Sequence, residues 1–193
     1  MRCRPDCSEK PSRILRNEVK ARWLKYAGYA AAGIIAIKLI MNQVWDNISA
    51  ARIRELHPAM KPLAVKLLQE ARKQGINLRI TSGLRTETEQ QALYDQGRTR
   101  PGKIVTNAKP WQSYHNYGLA IDVVPMNAAN QPVWNSKDWN KIGQIGKSIG
   151  LRWGGDFKNL VDKPHFETGP RISDLNSARV AGNVDANGFV KFA

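Results

Sequence analysis

The sequence predicts an α+β fold with a small sheet, preceded by an N-terminal membrane-anchor helix. Segments with apolar residues at helical spacing alternate with short apolar runs that are typical of strands. These strand-like runs are short and irregularly spaced, which favours α+β over a regular α/β arrangement. The chain has 193 residues, 42% of them hydrophobic, which is enough for one domain with extensions.

The first elements of the main domain are a helix and a strand. Residues 57–76 are predicted to be helical because their leucines and alanines recur at helical spacing, and Gly75 gives a C-terminal stop. His57 stands at the start of this helix and is interpreted as structural. Residues 78–83 follow as a short strand that ends in a turn.

A second helix is predicted over residues 86–97. Thr86 is a candidate N-cap, and Glu89 three residues later completes a capping box. Gly97 marks the end of this helix. Residues 98–112 contain two prolines and a glycine and are predicted to form a loop.

The remaining elements of the domain are two strands around a third helix. Residues 119–124 are predicted to be a strand, and residues 136–148 a helix with Ser136 as its cap. A turn-rich segment over 151–155 precedes a short strand at 164–167. The main domain is therefore predicted to span residues 51–170.

The two ends of the chain are predicted to be extensions. Residues 171–193 are rich in Asn, Gly and Ser and are interpreted as a C-terminal extension without a core of its own. Residues 1–25 are basic, and residues 26–45 are the predicted transmembrane or signal-anchor helix. Lys38 interrupts the apolar run, so a cleaved signal peptide and an amphipathic or buried helix remain open as alternatives. The basic N-terminal side predicts that the main domain lies outside the membrane.

The net charge predicts an anionic partner. The chain carries +14 overall, with +5 in residues 1–50 and +9 in residues 51–193. Nucleic acid is not the predicted partner, because there is neither a basic run nor a helix-turn-helix or zinc-finger spacing. The only cysteines are Cys3 and Cys7, so the main domain has no thiolate metal ligands.

Two segments contain residues that are suited to metal chemistry. In SYHNYGLAID, Gly118 permits a bend that can fold His115 back beside Asp122. In DKPHFE, His165 follows a proline that favours extended backbone. Two histidines and a carboxylate with an open fourth position form a known catalytic zinc arrangement, in which a nearby carboxylate takes a proton from water.

The residues alone do not decide whether a metal is bound or which carboxylate is the general base. For the general base, Asp162 is the first choice and Glu167 the alternative. Without a metal, Asp122 would cap a strand and pair with an arginine, and both histidines would pack at the surface.

The segment from about His57 to Glu167 resembles the VanY-type zinc peptidases. This family includes D-alanyl-D-alanine carboxypeptidases and the L-alanyl-D-glutamate endopeptidases of phage endolysins. Its hallmark Ser-x-His-x-x-Gly-x-Ala-x-Asp is matched by Ser113, His115, Gly118, Ala120 and Asp122. A second hallmark of the family, a carboxylate shortly before a final His, is matched by Asp162 and His165. The endopeptidase branch has a version like Asp-x-Pro-His-Phe, which DKPHFE matches, and the segments SGLRT and QALYDQGRT also resemble that branch.

The resemblance implies a fold, a cofactor and roles for individual residues. The fold would be a small antiparallel sheet flanked by helices, as in hedgehog and D-Ala-D-Ala peptidase domains. Asp162 would be the general base, Arg85 would hold the substrate or the developing oxyanion, and Ser113 would orient a ligand or the substrate. Zinc would be bound by three side chains, those of His115, Asp122 and His165.

Three functions are compatible with this resemblance. The favoured one is a zinc endopeptidase that cuts between L-alanine and D-glutamate in peptidoglycan stem peptides, as in endolysin-like lysis. The alternatives are a D-alanyl-D-alanine carboxypeptidase and a non-catalytic, zinc-stabilised wall-binding module. The enzyme would be anchored in the inner membrane with its catalytic domain on the extracytoplasmic side, or released to the wall.

Overall fold

The computed structural model describes residues 46–192, so the predicted segments 1–25 and 26–45 lie outside the described residues. Within this part of the chain, five α-helices accompany a four-stranded sheet. None of these helices is long and apolar enough to cross a membrane. The elements in chain order are α1 Asn47–Glu55, α2 Lys61–Lys73, β1 Leu78–Ser82, α3 Glu87–Asp95, a 3₁₀ turn Tyr114–Tyr117, β2 Ala120–Pro125, α4 Trp139–Ser148, β3 Arg152–Trp153, a 3₁₀ turn Gly154–Asp156, β4 His165–Glu167 and α5 Ile172–Val180.

The sheet is antiparallel throughout, with the strand order β1-β2-β4-β3. This arrangement confirms the predicted α+β class and small antiparallel sheet. All residues of β2 are buried except Asp122, which is partly exposed. An acidic side chain on an inner strand is therefore directed to an opening in the surface.

A bulge distorts β1 where it passes Asp122. The pairing of β1 with β2 changes register between Ile80, which faces Val123, and Ser82, which faces Asp122. The Thr81 hydroxyl donates a hydrogen bond to the Asp122 carbonyl oxygen at 3.2 Å. Bulges bend a strand and redirect its side chains, and they are common beside active sites. This one places the end of β1 next to the Asp122 carboxylate.

Helix α4 packs tightly on the sheet through two glycines. A Cβ atom at Gly143 would overlap the Trp153 ring, and one at Gly146 would overlap the Phe166 ring. Phe166 is fully buried and faces Ile121 across the sheet. This close packing fixes the position of β4, the strand that carries His165.

The helices begin and end close to the predicted residues. The capping box is confirmed: the Glu89 amide donates to the Thr86 hydroxyl at 3.2 Å, and the Thr86 amide donates to the Glu89 carboxylate at 2.7 Å. Gly75 has a φ of +79° and follows the end of helix α2, as predicted. That helix starts at Lys61 rather than at 57, because His57 forms a separate turn in which its Nδ1 accepts from the Ala59 amide at 3.0 Å.

Helix α4 begins at Trp139, three residues after the predicted cap. The Ser136 hydroxyl accepts a hydrogen bond from the Asp138 amide at 3.1 Å and so closes a turn ahead of the helix instead of capping it. Strand β3 occupies part of the segment 151–155, which the sequence predicted only as turn-rich. Helix α1 was not predicted. Its N-cap is Asp46, whose carboxylate accepts from the amides of Ile48 and Ser49.

The C-terminal extension packs into the core of the domain. It contains helix α5, which was not predicted, and Leu175 and Val190 are 1% and 4% exposed. The His57 ring bonds the Val190 carbonyl oxygen through Nε2 at 2.9 Å and stacks on Phe192 at 5.0 Å. The structural interpretation of His57 thus has a physical basis, since this residue ties the end of the chain to the start of the domain.

Leu175→Ala is expected to lower the free energy of unfolding by about 2–5 kcal/mol, the usual cost of a cavity at a fully buried leucine. A urea titration in which unfolding is monitored by circular dichroism measures this change in free energy. Val180→Ala on the same helix is the matched control, because Val180 is 71% exposed and should change stability by less than about 0.5 kcal/mol. Equal effects of the two substitutions would show that the extension does not belong to the core.

Candidate metal centre and active site

Three side chains from separate parts of the chain converge at one point. Asp122 Oδ1 lies 3.3 Å from His115 Nε2 and 3.2 Å from His165 Nδ1, and the two ring nitrogens are 3.3 Å apart. Within residues 46–192 these side chains form a group whose ligand atoms all lie within 4.8 Å of one another. The structure therefore brings together the three residues that the sequence predicted to be metal ligands.

The local fold explains how the three residues meet. Asp122 and His165 are direct partners in the pairing of β2 with β4. His115 lies in the 3₁₀ turn Tyr114–Tyr117, which begins where the Ser113 hydroxyl accepts from the His115 amide at 3.3 Å. The turn ends at Gly118, whose φ of +66° is a conformation that favours glycine. Ser113 acts here on the backbone of His115, and the bend at Gly118 returns the chain to the start of β2.

Hydrogen bonds on the far side of each imidazole fix its tautomer. His115 Nδ1 lies 2.7 Å from the Gly83 carbonyl oxygen, which can only accept, so this nitrogen carries the proton. His165 Nε2 lies 2.9 Å from the Glu167 carboxylate and carries the proton for the same reason. In the neutral rings, His115 Nε2 and His165 Nδ1 therefore direct lone pairs at Asp122. Three electron-pair donors facing one another form a site for a cation.

Glu167 positions His165. It is 9% exposed, and its second oxygen accepts from Arg152 Nε at 3.0 Å. Burial raises the pKa of Glu167, but the bonds from His165 and Arg152 outweigh it and hold this pKa below its usual value. The carboxylate contacts the ring nitrogen of His165 that points away from Asp122, a position suited to orienting a ligand rather than to serving as the alternative general base.

The charges around the site indicate what replaces a cation in the metal-free protein. Burial disfavours a charged imidazole, yet the hydrogen bonds with Asp122 and Glu167 raise the pKa of His165 to about 9. Burial would likewise raise the pKa of Asp122, but His115 and His165 hold it well below its ordinary value. Without a metal, a proton on His165 therefore offsets the Asp122 charge.

Arg85 reaches the same carboxylate from the opposite side. Its guanidinium lies 3.6 Å from Asp122 Oδ2, donates to Gln90 Oε1 at 2.8 Å and donates to the Ser82 hydroxyl at 3.3 Å. Gln90 is fully buried and is itself held by a bond to the Ala108 carbonyl oxygen at 2.7 Å. Arg85 is thus clamped beside the three converging side chains, and its side chain is 15% exposed.

Asp162 lies in the loop between the second 3₁₀ turn and β4. Its amide donates to the Gly154 carbonyl oxygen at 2.9 Å, and a Cβ atom at Gly154 would overlap the Asp162 carbonyl, so this loop is closely packed. The Asp162 carboxylate forms no hydrogen bond or ion pair with any residue from 46 to 192. Burial and the nearby charge of Asp122 raise its pKa. A carboxylate of this kind is available to accept a proton.

These residues line one cleft of about 460 Å³. Apolar side chains, among them Val105, Phe157 and Leu160, form other parts of its wall and are partly exposed. All six residues predicted for the site line this cleft: Arg85, Ser113, His115, Asp122, Asp162 and His165.

The sequence analysis named Glu167 only as an alternative general base and missed the Gly83 carbonyl and Gln90. Glu167 had a usable signal, because His165 and Glu167 are two residues apart on a strand and so share a face. The sequence offers no comparable signal for the Gly83 carbonyl or for Gln90, since both act through contacts between residues distant in the chain.

Glu167→Gln is expected to weaken metal binding by about 10- to 100-fold, the usual effect of losing a carboxylate that orients a ligating histidine. Competition with a chromogenic chelator measures the affinity. Glu70→Gln is a suitable control, because Glu70 pairs with Lys73 on the surface of α2. An unchanged affinity in Glu167→Gln would show that this carboxylate does not position His165.

Comparison with known proteins identifies the family. A family model described as D-alanyl-D-alanine carboxypeptidase matches residues 106–168, the segment that holds the three converging side chains and Asp162. The peptidoglycan L-alanyl-D-glutamate endopeptidase CwlK of Bacillus subtilis is 42% identical over 125 residues, covering 60% of this chain and 75% of CwlK. This chain belongs to the same peptidase family.

Two further proteins show more limited similarity to this chain. The L-alanyl-D-glutamate peptidase of Listeria phage A118 is 29% identical over 159 residues, which cover 76% of this chain and 53% of the phage protein. The chain thus matches about half the length of that relative. Among solved structures, the Serratia marcescens L-Ala D-Glu endopeptidase ChiX has a TM-score of 0.47 and 21% identity, covering 64% of this chain and 87% of ChiX.

Proposed function

We propose that this peptidase is a zinc endopeptidase that hydrolyses the bond between L-alanine and D-glutamate in peptidoglycan stem peptides. The observation that carries the proposal is the convergence of His115, Asp122 and His165 in a cleft that also holds the unpaired carboxylate of Asp162. The 42% identity to an enzyme named for cleavage of this bond supports the choice of substrate.

The donor set fits zinc. Imidazole nitrogen and carboxylate oxygen are zinc ligands, and two histidines with one carboxylate leave a fourth position open. Ligands about 2.0–2.1 Å from a tetrahedral ion lie about 3.3–3.4 Å from one another. The three distances in the site are 3.2–3.3 Å. His115, Asp122 and His165 would therefore hold the ion with little rearrangement of the fold.

The surrounding residues have separate tasks in peptide hydrolysis. Bound zinc would supply a Lewis acid that polarises the scissile carbonyl and makes water more acidic. Asp162 takes a proton from the attacking water and later returns it to the leaving amine, a role suited to an unpaired carboxylate with a raised pKa. Arg85, held by Gln90, donates hydrogen bonds to the oxygen on which negative charge develops.

Zinc binding at pH 7 is expected to release about one proton, because His165 must give up the proton on Nδ1 before this nitrogen can ligate. The pKa of His165 is raised to about 9, so the ring is protonated in the metal-free protein at pH 7. Apparent zinc affinity should therefore rise by up to about tenfold per pH unit until pH 9 and then level off. Calorimetry in buffers with different ionisation enthalpies counts the protons, and a count of zero would contradict this state of His165.

A second candidate is a D-alanyl-D-alanine carboxypeptidase. The description of the family model that matches residues 106–168 favours it. The same ligands and the same base would serve that reaction, so the chemistry of the site does not separate the two. The difference lies in the part of the stem peptide that the cleft accepts.

Mass spectrometry of a peptidoglycan digest distinguishes the candidates. Residues 46–193 are incubated with purified peptidoglycan, with zinc or with a chelator, and the products are sequenced. New L-alanine C-termini with D-glutamate N-termini, lost on chelation, are the expected result. Release of D-alanine alone would identify a carboxypeptidase. A folded, zinc-loaded protein that cuts nothing would be a wall-binding module.

We also propose that residues 26–45 attach the enzyme to the inner membrane, with the catalytic domain on the extracytoplasmic side. The basic segment 1–25 and the apolar run that follows support this location. The distributed positive charge would add attraction to anionic wall polymers. Fractionation of cells that express the full chain or residues 46–193 tests the proposal. Equal partition of both forms into the soluble fraction would contradict an anchor and favour release to the wall.

A further inference from the structure

A second pocket adjoins the catalytic cleft. It has a volume of about 630 Å³ and lies between α1, the end of β1 and α3. Arg85 and Leu93 line both cavities, so the catalytic cleft and this pocket meet at these two residues. A peptide bound over the converging ligands can therefore continue into the second pocket across Arg85.

The charge of this pocket is strongly positive. Three arginines, Arg52, Arg85 and Arg100, line it together with one acidic residue, Glu89. The Glu89 carboxylate is already engaged by the amide and hydroxyl of Thr86 in the capping box of α3, at 2.7 and 2.9 Å. The bonds from Thr86 hold the pKa of Glu89 below its usual value, so this carboxylate is ionised and offsets one of the three positive charges. Two positive charges remain in excess.

Two of the three guanidiniums have little to bind within the protein. Arg52 is 3.9 Å from Glu55, at the limit of an ion pair, and its side chain is 45% exposed. The Arg100 guanidinium forms no hydrogen bond, ion pair or ring contact with the part of the chain between residues 46 and 192. By comparison, Arg98 two residues earlier stacks on Tyr94 at 4.1 Å and donates to carbonyl oxygens of the same region. The donors of Arg52 and Arg100 are thus free for an anionic ligand.

We infer that this second pocket is a subsite for a carboxylate of the peptide substrate, bound by Arg52 and Arg100. The inference rests on the proposed function. A glutamate residue within a peptide keeps one free carboxylate, whichever of its two carboxyl groups continues the chain. Guanidinium groups recognise such carboxylates with paired, charge-assisted hydrogen bonds. The subsite holds the acidic residue next to the scissile bond while Arg85 remains with the reacting oxygen.

Two peptides that differ in one group test this subsite. Both are N-acetyl-L-alanyl-D-glutamyl-L-lysine with an amidated C-terminus. The glutamate carboxyl group that does not continue the peptide chain is a free carboxylate in one peptide and a primary amide in the other. The zinc-loaded protein is expected to prefer the carboxylate peptide in kcat/KM by about 10- to 100-fold, the range of a charge-assisted hydrogen bond in a partly desolvated site. In the double variant Arg52→Gln/Arg100→Gln, the ratio of kcat/KM for the carboxylate peptide to that for the amide peptide should fall to near one.

Matched variants separate the subsite from general effects of charge and folding. Arg54→Gln lies on the same helix outside the pocket and should keep the wild-type ratio. Arg52→Gln retains the Cβ that packs beside Gly83. Each single variant should lower the preference for the carboxylate peptide part of the way, so the test does not depend on the double variant. Zinc content and thermal unfolding verify that each variant is intact.

The outcomes distinguish a wrong subsite from a wrong function. If the wild type cuts both peptides equally, or if the ratio persists in the double variant, the subsite is wrong while the endopeptidase function stands. If the wild type cuts neither peptide, the proposed function fails and the subsite fails with it.

Discussion

Asp162→Asn is expected to lower kcat on peptidoglycan by about 100-fold or more while the protein still binds zinc. An amide has nearly the same shape as the carboxylate but cannot accept the proton of the attacking water. The Asp162 carboxylate forms no hydrogen bond or ion pair within residues 46–192, so the substitution breaks no contact that supports the fold. Initial rates of wall digestion and the zinc content of the purified variant measure both parts of the prediction.

A neighbouring aspartate provides the control for Asp162. Asp156 precedes it in the same region but pairs with Lys147 at 2.9 Å, and its side chain is 53% exposed. Asp156→Asn should digest the wall at close to the wild-type rate. Near-normal digestion by Asp162→Asn would assign the proton transfer to another group. Loss of zinc from that variant would instead make Asp162 part of the metal site.

His115→Ala is expected to lower zinc affinity by more than about 100-fold, above the range for losing a residue that only orients a ligand, and to abolish wall digestion. The substitution leaves two of three ligands and removes one of the nitrogens that face Asp122. Metal analysis after dialysis against a weak chelator gives the occupancy. A variant that keeps stoichiometric zinc and normal activity would exclude His115 from the ligand set.

The third described histidine is the matched control for His115. His57 is 8% exposed and is therefore buried like His115 and His165, but it bonds the Val190 carbonyl and stacks on Phe192. His57→Ala should therefore lower the melting temperature and still bind one equivalent of zinc. Comparable loss of zinc in the two variants would indicate that unfolding, rather than loss of a ligand, removes the metal from His115→Ala.

The sequence predicted the site better than it predicted the margins of the fold. His115, Asp122 and His165 occur in compact motifs, and their convergence needs only one bend at Gly118 and one strand pairing, Asp122 with His165. The capping box of Thr86 and the stop at Gly75 are local signals that the structure retains. Interactions between residues near one another in sequence can be recognised without knowledge of the fold.

The elements that the sequence did not reveal depend on distant contacts. Helix α5 is nine residues long and buries only Leu175 fully, and β3 is two residues long. Both elements are shorter than the window of about 11–18 residues over which helical periodicity is recognised. The bond between Arg85 and Gln90 joins the end of β1 to α3, and the second pocket brings Arg52 of α1 and Arg100 of the loop after α3 into one lining.

Zinc titration of the metal-free enzyme tests whether hydrolysis depends on one bound ion. The protein is stripped with a chelator, dialysed and assayed for peptidoglycan digestion as zinc is added in steps. Activity is expected to be absent without metal, to rise in proportion to zinc and to saturate at one equivalent. Full activity in the stripped protein, verified as metal-free by mass spectrometry, would contradict a zinc peptidase built on His115, Asp122 and His165.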